Sequence, residues 1–240
     1  MTEAKSKNAD LPVRIASAVV MVLVAGGAVW AGGLIFTLFL LVLAGGLMWE
    51  WWGLVSKIAK TPAGLIGAML LGVLYIGWAL KVVHWLWVNP HPNTSAAFLF
   101  LVTAVMVVAV DVGAYFAGRT FGGRKIAPSI SPSKTWSGLI GGMIAAELVV
   151  FCAIGFRTDM PFYYWFQLAG AVFAVLVAIT AQSGDFLESW MKRRAGVKDS
   201  GQLIPGHGGL LDRLDGHLMV FAVLPFLFAM LALLFEGLMF

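Results

Sequence analysis

Seven apolar runs follow one another along this chain, at about residues 13–31, 33–53, 62–80, 96–117, 136–156, 162–186 and 217–237. Crossing the ~30 Å hydrocarbon layer takes roughly 20 residues of α-helix, so each run is of spanning length. The pattern predicts an all-α fold: a polytopic integral membrane helical bundle of about seven transmembrane helices, with six to nine as the bounds. The first two runs are separated only by "WAGG" and read as a tight hairpin or a partly re-entrant pair. The stretch "VVHWLWV", Val82 to Val88, is too short to span and reads as an aromatic interfacial segment, and Trp49, Trp51 and Trp52 read as a belt at the membrane surface. The opening "MTEAKSKNAD" is polar, with no small-residue cleavage site after the first run, which predicts a retained anchor and not a cleaved signal.

Composition supports the same class. Hydrophobic residues make up 60% of the chain and charged residues 12%, against about half and a quarter in soluble proteins. Seven spans leave little chain for anything else, so one membrane domain over residues 1–240 is expected. The single cysteine, Cys152, lies in "LVVFCAIGF" and is expected to be a small core residue. No repeat at a fixed period and no low-complexity linker interrupts the chain.

Charge orients the bundle. Of the 16 Lys and Arg residues, alternate tails and loops carry Lys5, Lys7 and Arg14, then Lys57 and Lys60, then Arg119, Arg124, Lys125 and Lys134, then Lys192, Arg193, Arg194, Lys198 and Arg213. The opposite side holds only Lys81 and Arg157. The positive-inside rule therefore puts the N-terminus and the long basic loops in the cytoplasm. Merging the first two runs would send three of those charges to the other face and weaken the split. A pI near 9.3 follows from loops that face anionic headgroups, and no nucleic-acid partner is indicated.

Nearly all the reactive side chains sit in two of the cytoplasmic stretches, Asp111 to Gly138 and Gly184 to Gly216. Asp185 and Glu188 are three apart at the end of a helical run and share a face, and Asp212 and Asp215 repeat the spacing. Carboxylate pairs at membrane depth repel unless a cation sits between them, and a hard, oxygen-liganded ion such as Mg²⁺ suits a site without cysteine and with few histidines. In "PGHGG", Gly206, Gly208 and Gly209 would let the backbone approach a bulky anion and turn N–H groups toward it. Lys192, Arg193, Lys198 and Arg213 add positive charge, and "SPSKTWSG" adds hydroxyls and Lys134. Metal, N–H nest and basic residues together describe phosphoryl or nucleotidyl transfer.

The segment Ser189 to Asp215, "SWMKRRAGVKDSGQLIPGHGGLLDRLD", resembles the signature of the phosphatidate cytidylyltransferase family: S-x-hydrophobic-K-R, four residues, K-D, then P-x-H-G-G, a hydrophobic residue and x-D-R-hydrophobic-D. Every fixed position is present. "SPSKTWSG" is similar to that family's S-P-x-K-T-x-E-G block, with Ser137 where many members have Glu. The resemblance implies transfer of CMP from CTP to phosphatidic acid in phospholipid biosynthesis, with Mg²⁺ as cofactor, in the inner membrane of a bacterial cell with the active-site loops cytoplasmic. A homodimer is compatible with it.

The residues singled out for chemistry are Asp185, Asp212, Asp215, Lys198, Asp199 and His207, with Asp185, Asp212 and Asp215 as metal ligands. Those singled out for substrate binding are Ser131, Lys134, Thr135, Ser189, Lys192, Arg193, Gly206, Gly208, Gly209 and Arg213. Asp111 is expected to have a polar partner or to line the site, Glu147 to make a structural hydrogen bond, and His84, His91 and His217 to lie at the interface. Two rival readings are a transferase acting on an isoprenoid ether lipid phosphate and a transporter. Against the latter, no inverted repeat is evident and the densest polar segment is a loop.

Overall fold

The computed structural model describes residues 11–88, 96–155 and 163–239. Lys5, Lys7, His91 and Arg157 lie outside the described residues. Seven helices among those residues are long and apolar enough to cross a membrane. They are α1 (Leu11–Ala31), α2 (Gly33–Ile58), α3 (Pro62–Val88), α4 (Ala96–Phe121), α5 (Trp136–Gly155), α6 (Tyr163–Ala195) and α7 (Leu211–Met239). Between α4 and α5 a two-stranded antiparallel hairpin forms from β1 (Lys125–Ala127) and β2 (Ser131–Thr135).

The polar stretches expected as loops are therefore mostly helix. The ends of α4 and α6 run past their apolar runs, and α7 begins six residues before its own, because the i to i−4 hydrogen-bond ladder does not need an apolar side chain to continue. The "VVHWLWV" segment is likewise no separate interfacial piece but the last two turns of α3. Where the first two runs meet, Gly32 takes φ 61° and ψ −159°, a region glycine alone enters readily, and this one residue breaks the helix in two.

Among the described residues, those from Leu11 to Leu80 with Met191–Leu214 pack as one unit, and those from Lys81 to Trp190 with those from Asp215 onward as a second. In the first, α2 buries Phe36, Leu40, Leu47, Glu50, Trp51, Leu54 and Val55, spaced three, four or seven apart along one face. Trp51 donates its indole N–H to the Ala68 carbonyl at 3.0 Å, and its ring lies where a side chain on Gly72 would have to go. Trp51 is thus a core residue and not a belt residue like Trp49 and Trp52, which are exposed. Successive residues of a helix point ~100° apart, so three near-neighbours cannot all face the lipid.

In the second unit α4 and α5 pack backbone to backbone. A Cβ on Gly113 would sit 2.6 Å from the Gly141 carbonyl oxygen, and one on Gly142 would sit 3.1 Å from that of Val110. Small residues at such a crossing allow the close approach that drives helix association where lipid offers no hydrophobic gain. Phe173 of α6 stacks near Phe228 of α7 at 5.2 Å, and His217 of α7, expected at the interface, contacts the Ala104 carbonyl at 3.3 Å. Cys152 is exposed on α5, a correction of the core assignment, since a lipid-facing helix surface accepts a thiol as readily as a core does. Asp111 is exposed on α4 and Glu147 half-buried on α5.

Candidate active site

The second unit brings the hairpin onto the acidic end of α6. Thr135 is the N-cap of α5: its hydroxyl accepts the Gly138 N–H at 3.1 Å, which satisfies one of the four orphan donors of the helix. Ser137 donates its hydroxyl to the Gly122 carbonyl, which closes the base of the hairpin. A glutamate at that position would offer no such donor, so the departure from the family block carries its own local bond. With both ends tied, β2 delivers Lys134 to the Asp185 carboxylate, an ion pair across 51 positions of sequence. Ser131 and Thr135 are buried, and the Thr135 hydroxyl is spent on the cap.

Asp185 has a second partner. Its carboxyl lies beside that of Asp215 on α7, and Glu188, buried one turn along α6, is near Asp215 as well. The Gly184 backbone allows this, because a Cβ there would collide with the Asp215 carbonyl. Ser189 follows Asp185 by one turn and is half-buried. Among the described residues no three His, Cys, Asp or Glu groups form a ready metal cage. Mg²⁺ does not need one: it binds through one or two carboxylates, keeps several waters and takes the rest of its ligands from substrate phosphates. Asp185 and Asp215, two neighbouring carboxyls, fit that requirement.

The first unit contains the glycine-rich segment. Ile204 and Gly208 exchange backbone hydrogen bonds at 3.0 and 3.2 Å, and the His207 N–H also goes to the Ile204 carbonyl. The turn needs φ of 75° at Gly206 and 87° at Gly208, both in the left-handed region. Arg213 donates twice to the His207 carbonyl, at 3.3 and 2.8 Å, and the His207 ring reaches Ser17 of α1 at 2.7 Å. Arg14, one turn before Ser17, lays its side-chain stem against Gly206.

The backbone donors of this loop do not form the open N–H nest expected for an anion. Gly209 donates to Asp212 at 2.9 Å, Leu210 and Leu211 to Glu50 at 2.9 and 2.7 Å, and His207 and Gly208 to Ile204. The reason is that two carboxylates of the chain itself already sit at the N-terminal end of α7, where the helix dipole favours them. Asp212 accepts from the Ser200 N–H and hydroxyl, both at 2.9 Å, and receives Lys192 at 2.6 Å on its other oxygen. Arg193, Lys198 and Asp199 are exposed around this loop.

Three contributors went unread in the sequence: Glu50, Ser17 and Ser200. A signal existed for Glu50, since "GLMWEWWGL" places one carboxylate in an apolar span, which by default marks function. For the two serines there was none.

Comparison with known proteins gives the family. The model of the cytidylyltransferase family matches residues 61–234. The phosphatidate cytidylyltransferase of Brucella suis biovar 1 is 34% identical over 264 aligned positions, covering 91% of this chain and 93% of that protein. The phosphatidate cytidylyltransferase of Rickettsia bellii is 35% identical over 229 positions, covering 93% and 94%. That of Bacillus subtilis is 36% identical over 168, covering 70% and 59%.

Proposed function

Because this chain belongs to the cytidylyltransferase family, we propose that it is a membrane enzyme that transfers CMP from CTP to phosphatidic acid, giving CDP-diacylglycerol and pyrophosphate. The observation that carries the reading beyond the family match is the Lys134 to Asp185 ion pair. It joins the S-P-S-K-T hairpin to the acidic end of α6, two blocks that no periodicity relates.

In the reaction an oxygen of the lipid phosphate forms a bond to the α-phosphorus of CTP. The bond from that phosphorus to the bridging oxygen of the β-phosphate breaks, and its electron pair leaves with pyrophosphate. The nucleophile is already an anion, so no strong base is required, and the protein's task is to hold two polyanions together against their repulsion. We assign Lys134, Lys192, Arg193, Lys198 and Arg213 to this positive field. Asp185 holds Lys134 and Asp212 holds Lys192, which fixes where their charge is presented. Mg²⁺, when bound, would neutralise phosphate charge and polarise a phosphoryl oxygen. Asp185 and Asp215 would hold it.

The test is direct. Purified protein with phosphatidic acid, CTP and Mg²⁺ is expected to release pyrophosphate and form a CDP-lipid, and EDTA to abolish this until Mg²⁺ is restored. Folded protein that makes no product would end the reading, and product only from an isoprenoid ether lipid phosphate would move it to that acceptor.

The reading also places the chain in a bacterial inner membrane, with the hairpin and the glycine-rich loop facing the cytosol, where CTP is. A cysteine at Ser131 or Ser200, in a Cys152→Ala background, is expected to react with an impermeant maleimide only from the cytosolic side, and one at Asn93, which lies outside the described residues, only from the other. Labelling of all three from one side would break the alternation that the charge distribution supports.

A further inference from the structure

We infer that Glu50 is a positioning residue for the transfer: its carboxylate on α2 holds the 200–211 segment in the conformation that presents Asp212 to Lys192. The inference rests on the reading above and adds a residue that lies outside the region matched by the family model, residues 61–234.

Glu50 is 2% exposed in the middle of an apolar helix. Burying a carboxyl there is costly unless its oxygens are satisfied. They are, by three donors from a single segment: Leu210 N–H on Oε1 at 2.9 Å, Leu211 N–H on Oε2 at 2.7 Å and the Ser200 hydroxyl on Oε2 at 3.1 Å. Two of these stand at the N-terminal end of α7, Leu210 just before it and Leu211 as its first residue, where N–H groups have no partner within the helix. The third leads to Asp212. Ser200 Oγ lies 2.9 Å from Asp212 Oδ2, so one hydroxyl proton is shared between the two carboxylates, and the Ser200 N–H holds the same Asp212 oxygen.

Glycines mark how closely the pieces fit. A Cβ on Gly201 would overlap the Glu50 carboxylate, and one on Gly209 would fall against Ser200, Glu50 and Asp212 together. Glu50 therefore reaches Asp212 only through Ser200 and the backbone it caps. Remove its acceptors and the segment loses three anchors while the Lys192 to Asp212 pair loses its fixed frame.

A double-mutant cycle in detergent micelles with phosphatidic acid, CTP and Mg²⁺ tests this, comparing wild type, Glu50→Gln, Asp212→Asn and the double variant. Glu50→Gln keeps the volume but turns one acceptor into a donor facing an N–H or a hydroxyl. It is expected to lower kcat on the order of tenfold, leave KM for CTP within about threefold, and cost little further once Asp212 is Asn. A purely structural glutamate would instead lower the melting temperature and give losses that add. Wild-type turnover in Glu50→Gln, or additivity with Asp212→Asn, overturns the inference while an active wild type leaves the enzymatic reading intact. If Glu50→Gln does not yield folded protein, Ser200→Ala removes only the shared hydroxyl, and the same cycle with Asp212→Asn decides by the same criterion.

Discussion

Asp185→Asn is expected to lower turnover on the order of a hundredfold or more, the scale of losing a key electrostatic group, with little change in yield or melting temperature. The substitution keeps the size of the side chain and removes its charge. One contact depends on that charge, the ion pair from Lys134, and the carboxyl beside Asp215 becomes an amide. Without it Lys134 loses the carboxylate that fixes its ammonium near the acidic end of α6, and the pair of carboxyls proposed for Mg²⁺ becomes a single one. Stability should be largely spared, since the α6 backbone ladder and the apolar faces of the second unit are untouched. Higher Mg²⁺, or Mn²⁺, is expected to restore part of the activity of Asp185→Asn. Lys134→Ala should respond poorly, because its proposed partner is phosphate. Glu147→Gln, a half-buried acid on α5, serves as the control that keeps most activity. Asp185→Asn turnover within about threefold of wild type would remove the residue from the site.

Gly209→Ala is the second large effect, and steric exclusion carries it. The added methyl would overlap the Ser200 hydroxyl and lie 2.7 Å from Glu50 and 2.8 Å from Asp212, distances that real Cβ atoms essentially never show. Something must shift, and the neighbours are Asp212 itself and the two side chains, Ser200 and Glu50, that hold its surroundings in place. The expected loss is again on the order of a hundredfold in kcat/KM, comparable to misplacing a reacting group by about an ångström. Gly196→Ala separates this from general glycine intolerance. Gly196 has φ 68° and no atom within 4 Å of a Cβ, so alanine there meets only the left-handed backbone penalty of about 1–2 kcal/mol. That variant should melt earlier yet turn over close to wild type. Equal losses of turnover in the two variants would show that the loop is sensitive to any added methyl, and the packing argument would fail.

Much of this architecture was legible because membrane insertion is a one-dimensional problem. A helix that must satisfy its own backbone in lipid needs a long apolar run, and seven such runs correspond to the seven spanning helices. The two chemical blocks were legible for a different reason: their residue types and spacing match a family signature, and the chain belongs to that family. Helix ends were misread. Apolar runs report where lipid is, whereas helix ends are set by hydrogen bonding and capping, so the ends of α4 and α6 and the first turns of α7 looked like loop.

What the order of residues determined by itself, then, was the span count and the class of chemistry, because each depends on local composition or on fixed spacing along one strand of text. Partnership was decided only in three dimensions. Whether a backbone N–H faces an incoming phosphate or an internal carboxylate depends on what another helix brings to it, and Glu50, some 160 residues away along the chain, takes the Leu210 and Leu211 donors. The same holds for Trp51, which fills the space left by Gly72 while Trp49 and Trp52 are exposed, and for Lys134, which finds Asp185 because the Thr135 cap and the Ser137 bond aim the hairpin. Hydrogen bonds and ion pairs act over a few ångströms, and at that range position in space counts while separation along the chain does not.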